Sequence, residues 1–391
     1  MREQVEIGRG RSAHRSYTFD DLDIVPSRRT RSSSAVSTAW QLDAYRFDLP
    51  LLTHPTDAIV SPTTAVRFGE LGGLGVLNAE GLWARHAEPD KALTEIAERA
   101  AADPAAALGE LQRLHAAPVQ PDLLAEALGR VRGAGVTLAA RVSPQHAREL
   151  TPTLLSAGVE ILVVQGTIIS AEHVAGEWEG GGRDTQRSGA GPSSQSPLDL
   201  EDFIESLDIP VVAGGVGDYR TAMHLMRTGA AGVIVGYGQA ASTSTDVVLG
   251  IGVPMATALV DAAAARRDYL DETGGRYVHV IADGGMATSG DMAKAIACGA
   301  DAVMLGEQLA GADDAPGGGW YWTSAAAHPN LPRSAVVPVP QHGTDLAAVL
   351  RGPAPAADGT VNLFGALRRA MAKTGYSDLK EFQRVGLSVR R

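Results

Sequence analysis

One cysteine in 391 residues, Cys298, leaves no possibility of an intrachain disulfide and no material for a cysteine-based metal cluster. Aromatic residues make up only 5% of the chain. No apolar run is long enough to span a bilayer, so a membrane role is excluded at this level. Positive charge is also short: 34 Lys and Arg against 45 Asp and Glu give a net charge of −11. That balance argues against a nucleic-acid-binding surface and for a soluble, cytoplasmic protein. Arg2, Arg9, Arg11 and Arg15 gather near the start, but no apolar run follows them to make a signal peptide. Residues 1–16 therefore read as a flexible polar tail.

What the chain has in quantity is glycine, 45 residues, and short apolar runs. Eight such runs occur at 50–55, 73–78, 137–142, 160–165, 210–215, 232–236, 277–282 and 301–306, most of them separated by helical patterns. Continuous apolar strands alternating with helices imply a parallel sheet covered by helices. Eight units in a row favour a (β/α)₈ TIM barrel, one domain over 17–391, against an open doubly wound sheet. Gly158, Gly229 and Gly299 each stand just before a strand, where a helix ends in a left-handed cap. Residues 80–134 are long for one connection and predict two or three helices. Residues 176–198 are Gly- and Ser-rich and predict a mobile loop, and a flap and tail region is expected over 307–391.

Active sites of such barrels lie at the C-terminal ends of the strands. Those ends carry Thr53, His54 and Asp57, then Asn78, Arg141 and Gln165, Gly214 and Gly215, the 237–246 loop, Asp283 to Gly285, and Gly306. Glycines after the seventh and eighth strands let backbone N–H groups approach a phosphate, and a helix N-terminus adds a favourable dipole. Tight turns alone would also explain those glycines.

Ordered motifs turn this outline into a resemblance. They are Tyr17 to Pro26, Pro50 to Ile59, Val233 to Asp246 running into Leu249 to Met255, Asp283-Gly-Gly285 with Ser289-Gly-Asp291, Met304-Leu-Gly306, and Leu363 to Arg368 with Met371. Together they resemble the IMP dehydrogenase and GMP reductase family, in particular a short IMP dehydrogenase-related branch lacking CBS domains, since 80–134 is too short to hold that pair. The resemblance implies an oxidoreductase of purine nucleotide metabolism, binding IMP or GMP, with NAD or NADP as cofactor and a homotetramer as the usual assembly. It implies that Asp283 holds the ribose hydroxyls, that Gly284, Gly285 and Gly306 serve the phosphate, and that Asp57 matches a family acidic residue.

The chain departs from the family at the catalytic cysteine, whose position is Thr243. A hydroxyl needs an adjacent base to act as a nucleophile, and no histidine lies in this loop. Thr245 matches a threonine that helps activate water. Gln239 and Ala240 alter the Gly-x-Gly pattern that in the family accompanies bound potassium, and no other metal is expected. Gln165 stands where the family has an Asp facing the nicotinamide riboside, and Glu307 where it has a Ser. Cys298 falls at the end of an outer helix, as a buried structural residue would. Trp320, Tyr321 and Trp322 would form a stacking lid or pack the tail onto the barrel. Three readings follow: an IMP dehydrogenase-related oxidoreductase, a non-catalytic nucleotide sensor or partner of a true IMP dehydrogenase, and a GMP reductase.

Overall fold

A computed structural model describes residues 3–166, 169, 172–173 and 198–390. Eight parallel strands form one sheet: β1 Leu51–Thr53, β2 Val76–Asn78, β3 Ala139–Val142, β4 Ile161–Gln165, β5 Val211–Val216, β6 Gly232–Gln239, β7 His279–Gly284 and β8 Ala302–Leu305. Their order is β1-β8-β7-β6-β5-β4-β3-β2. The two ends meet where Leu52 bridges Leu74 in parallel, with Leu74 N–H donating to Leu51 O (2.8 Å) and Thr53 N–H to Leu74 O (3.0 Å). The fold is the TIM barrel that the eight apolar runs predict. Every residue of β1 to β5 is buried, as expected for strands covered on one face by helices and packed inside the barrel on the other.

Local rules are obeyed where the helices begin and end. Pro62–Glu70 starts with a Ser61 capping box and a proline in its first turn, and Ser289–Ala297 starts with a Thr288–Asp291 box. Gly158, Gly229 and Gly299 have φ of 85°, 90° and 113°, the left-handed caps expected before β4, β6 and β8. The long connection after β2 folds into three α-helices, Pro89–Ala102, Pro104–His115 and Pro121–Gly133. Residues Gln4–Gly8 and Arg11–His14, expected within a polar tail, pair as an antiparallel hairpin. The loop expected at 176–198 falls almost wholly outside the described residues. Among the described residues no helix is long and apolar enough to cross a membrane.

At the N-terminal ends of the strands, the Asp301 carboxylate gathers the barrel floor. It accepts from Arg266 Nη1 (2.7 Å), Val280 N–H (2.9 Å), Tyr277 O–H (2.8 Å) and Gln383 Nε2 (3.0 Å), and it pairs with Lys380. Burial would raise its pKa, but Arg266 and Lys380 outweigh that and hold it well below the carboxylate range. His279 beside it is pushed down to about 4, because burial disfavours the imidazolium. Both shifts act in one direction. The unfolded chain binds the proton first, so stability present at neutral pH is lost as pH falls, from about 6.5 for His279 and below about 4 for Asp301. Denaturant titrations from pH 7 to pH 4 should show a loss on the order of 3 kcal/mol that His279→Gln removes. An unchanged pH slope in the variant would contradict the assignment. Asp301→Ala should cost about 3–5 kcal/mol at pH 7, since it strands the buried Arg266 charge.

Candidate functional site

The C-terminal ends of the strands converge on one buried carboxylate. Asp283, near the end of β7, is 2% exposed. Its Oδ1 lies 3.2 Å from His54 Nδ1, just past β1, and its Oδ2 accepts from Gln165 Nε2 at 2.7 Å, at the end of β4. Gln165 Oε1 is buried with no partner. Arg141, from β3, donates to the Gln165 carbonyl (2.6 Å) and to Glu80 (3.0 Å). Glu80 also accepts from the N–H and hydroxyl of Ser143 and from His146 Nδ1 (2.5 Å). Burial alone would push the Glu80 carboxyl up, but the Arg141 charge and the His146 hydrogen bond outweigh it and hold it at about 2. The same hydrogen bond raises the His146 pKa. These groups border a cavity of about 340 Å³ lined by His54, Arg141, Gln165, Tyr237, Thr323 and Arg333 among others.

The glycine corner is built but internally satisfied. Gly284 and Gly285 have φ of 102° and 70°, which a side chain would resist. Gly285 N–H donates to Gln239 O (2.8 Å), and Gly306 N–H to Gln308 Oε1 (3.2 Å), while Gln308 Nε2 donates in turn to Met286 O. A Cβ on Gly306 would collide with the Tyr321 hydroxyl. Tyr321 and Trp322 are buried, and Thr56 donates to the Trp322 carbonyl (2.7 Å), so both rings pack the tail onto the barrel. Glu307 accepts from Ala241 N–H (2.8 Å), tying the β8 end to the loop after β6.

That loop carries Thr243. Its hydroxyl donates to Gly238 O (2.7 Å), and Thr243 bridges Ser334 in antiparallel fashion. Ser244 N–H donates to Arg333 O (2.9 Å) and Ala335 N–H to Ser242 O (2.8 Å), so the loop is zipped to the tail. Thr245 is buried at the start of the short helix Thr245–Leu249. Asp57 is turned away from Asp283: it accepts from Leu82 N–H (3.1 Å) and faces His115 Nε2 at 3.3 Å, while its Oδ1 is unpartnered. Asp291 closes the helix cap rather than reaching the corner. Cys298 is buried at the end of an outer helix, and burial pushes its thiol up to about 12, far from a nucleophile. Among the described residues no cluster of three or more His, Cys, Asp or Glu could hold a metal.

Asp283, Gly284, Gly285, Gly306, His54 and Gln165 therefore share one corner of the mouth, with the Thr243 loop beside them. Asp57 does not join them. The Glu80, Ser143 and His146 cluster went unread in the sequence. Its members lie two to five residues past the strand-end residues Asn78 and Arg141, in the first turn beyond each strand.

A model described as the IMP dehydrogenase / GMP reductase domain matches residues 190–327. An uncharacterized oxidoreductase of Mycolicibacterium smegmatis is 60% identical over 389 residues, covering 98% of this chain and 99% of that one. A crystal structure of an IMP dehydrogenase/GMP reductase-like protein from Corynebacterium glutamicum is 51% identical, with a TM-score of 0.91 over 99% of this chain and 98% of that one. The chain belongs to the IMP dehydrogenase and GMP reductase family. Inosine-5′-monophosphate dehydrogenase of Pasteurella multocida is more distant, 26% identical over 77% of this chain and 75% of its own length. Membership carries the barrel and the family-level description as an oxidoreductase relative, and it leaves the ligand and the chemistry to the site itself.

The Glu80 network yields a direct test. In Glu80→Gln the His146 imidazole loses its charged partner, so its pKa, read by NMR titration, should drop toward the ordinary histidine value. An unchanged His146 titration would mean that the network does not form as described.

Proposed function

We propose that the protein is an IMP dehydrogenase-related member of purine nucleotide metabolism that binds IMP or GMP at the β6–β8 corner of the barrel mouth. The observation that carries this reading is Asp283: a buried carboxylate beside two left-handed glycines, held by Gln165 and His54, with no Arg or Lys bonded to it among the described residues. Vicinal ribose hydroxyls are the donors that would replace those two side chains. The phosphate would take the backbone N–H group of Gly306 once Gln308 swings away, and that of Gly285 once it parts from the Gln239 carbonyl.

The family cofactor fits the neighbouring side of the mouth. The unpartnered Oε1 of Gln165 is an acceptor for a hydroxyl of the nicotinamide riboside, and Arg141 fixes the Gln165 backbone from behind. NAD or NADP bound there would supply a hydride acceptor. Thr243 does not replace the family thiol in this reading, because its hydroxyl proton is directed at the Gly238 carbonyl rather than at a base. That observation favours a second reading, a non-catalytic nucleotide sensor that acts on a true IMP dehydrogenase.

Calorimetric titration of IMP and GMP tests the ligand. Binding of at least one nucleotide is expected, abolished by Asp283→Ala and unchanged in Thr243→Ala. Gln308→Ala frees the Gly306 N–H and should tighten binding by about fivefold, the worth of one hydrogen bond. Saturating IMP or GMP with no heat and no thermal shift would overturn the reading. NADH formation from IMP and NAD separates the oxidoreductase from the sensor.

A further inference from the structure

Several histidines border the mouth cavity, and one of them also borders the glycine corner. His115 faces Asp57, and His146 bonds Glu80. His54 lines both the cavity of about 340 Å³ beside Gln165 and the tight corner formed by Asp283, Gly284 and Gly306. Among the described residues no other side chain lines both. It is 7% exposed and held by its backbone: its N–H donates to Leu305 O (2.7 Å), and its carbonyl accepts from Thr56 N–H (2.8 Å).

Two glycines make room for the side chain. A Cβ on Gly238 would stand 2.9 Å from His54 Cε1, and one on Gly306 would stand 3.2 Å from His54 Cβ. Nδ1 of the ring lies 3.2 Å from Asp283 Oδ1, while Nε2 bonds nothing among the described residues. An apolar side chain would fill the gap between the glycines without burying polar atoms, so packing alone does not call for an imidazole here. A ring with one nitrogen on a carboxylate and the other open is instead equipped to exchange a proton with a bound molecule.

We propose that His54 is the proton acceptor of the site, taking a proton from a water that adds to C2 of the bound purine. The inference rests on the nucleotide reading above, which seats the ribose on Asp283 and the cofactor beside Gln165. Purine and nicotinamide then meet at the boundary that His54 occupies. Thr243 spends its hydroxyl on Gly238 O, so water itself is the nucleophile. Its oxygen bonds C2 as its proton passes to the imidazole, and the electron pair of the C2=N3 bond moves onto N3. That pair re-forms the double bond as hydride leaves C2 for the oxidised nicotinamide, and His54 returns its proton to solvent. One water is consumed, and one hydride and one proton are released. The exchange of Asp283 onto the ribose hydroxyls frees the imidazole as the nucleotide arrives, so base and substrate come together.

Calorimetry, histidine NMR and NADH or NADPH formation on the same protein test this. IMP added without cofactor should move the Cε1–H resonance of His54, assigned by its absence in His54→Gln. His54→Ala should bind IMP no more weakly than the wild type, because the ribose no longer displaces an imidazole from Asp283. His54→Gln keeps a polar side chain in the gap and should also bind IMP, so binding reports the fold of both variants. Their IMP-dependent NADH or NADPH formation should fall by about 10²–10⁴-fold, the usual worth of a general base. Added imidazole should restore part of it in His54→Ala, where the gap is open, and none in His54→Gln; a structural role would give no such rescue. A wild type that binds IMP but forms no NADH or NADPH, an unmoved His54 resonance at saturating IMP, or full turnover in both variants would overturn the assignment alone. Binding of neither IMP nor GMP by the wild type would overturn the nucleotide reading beneath it as well.

Discussion

The mouth of this barrel depends on the carboxylate of Asp283. From β7 it reaches His54 beyond β1 and Gln165 at the end of β4, so one side chain ties together strands from both sides of the opening. Gln165 in turn presents its carbonyl to Arg141, and Arg141 anchors Glu80, Ser143 and His146. Losing the carboxylate would leave the buried His54 imidazole without this partner and Gln165 Nε2 with only the weak Met304 Sδ contact (3.6 Å), at a cost of about 1–3 kcal/mol for each. On the proposed reading it would also remove the acceptor for the ribose hydroxyls. Fold maintenance and the proposed ligand recognition would thus meet in one group.

Around that group, the protein answers most of its own polar atoms, Gln165 Oε1 being an exception. Gln308 caps Gly306, Gln239 caps Gly285, and the Thr243 hydroxyl is spent on a backbone carbonyl. Tyr321 closes over Gly306 with its ring buried, and the segment at 333–335 is paired to the loop at 242–244. A ligand entering here would exchange protein hydrogen bonds for its own rather than fill an open cradle. This explains why the open volume lies on the β2–β4 side, toward Arg141 and Tyr237, while the glycine corner itself is nearly filled.

Much of this was legible in the sequence, for physical reasons. Strands buried on both faces must be continuously apolar, so all eight announce themselves, and the positive φ at 158, 229 and 299 demands glycine. The position of Cys298 on an outer helix already spoke against a nucleophile. Other features are long-range and leave no periodic trace. The Glu80 cluster is assembled from two loops more than 60 residues apart. Asp57 looks like a mouth residue by its place after β1, yet His115, on a helix far along the chain, draws it aside. The pairing of residues 4–14 rests on backbone hydrogen bonds that composition does not reveal.

On the proposed reading, Asp283 exchanges its protein partners for ribose hydroxyls when a nucleotide binds. A crystal structure grown with IMP tests it most directly. Both hydroxyls are expected on the Asp283 carboxylate with the Gln165 side chain turned aside, and the phosphate on the Gly285 and Gly306 N–H groups, with Gln308 displaced and the Gly285 bond to the Gln239 carbonyl broken. Nucleotide bound elsewhere, with the His54–Asp283–Gln165 bonds intact, would contradict it.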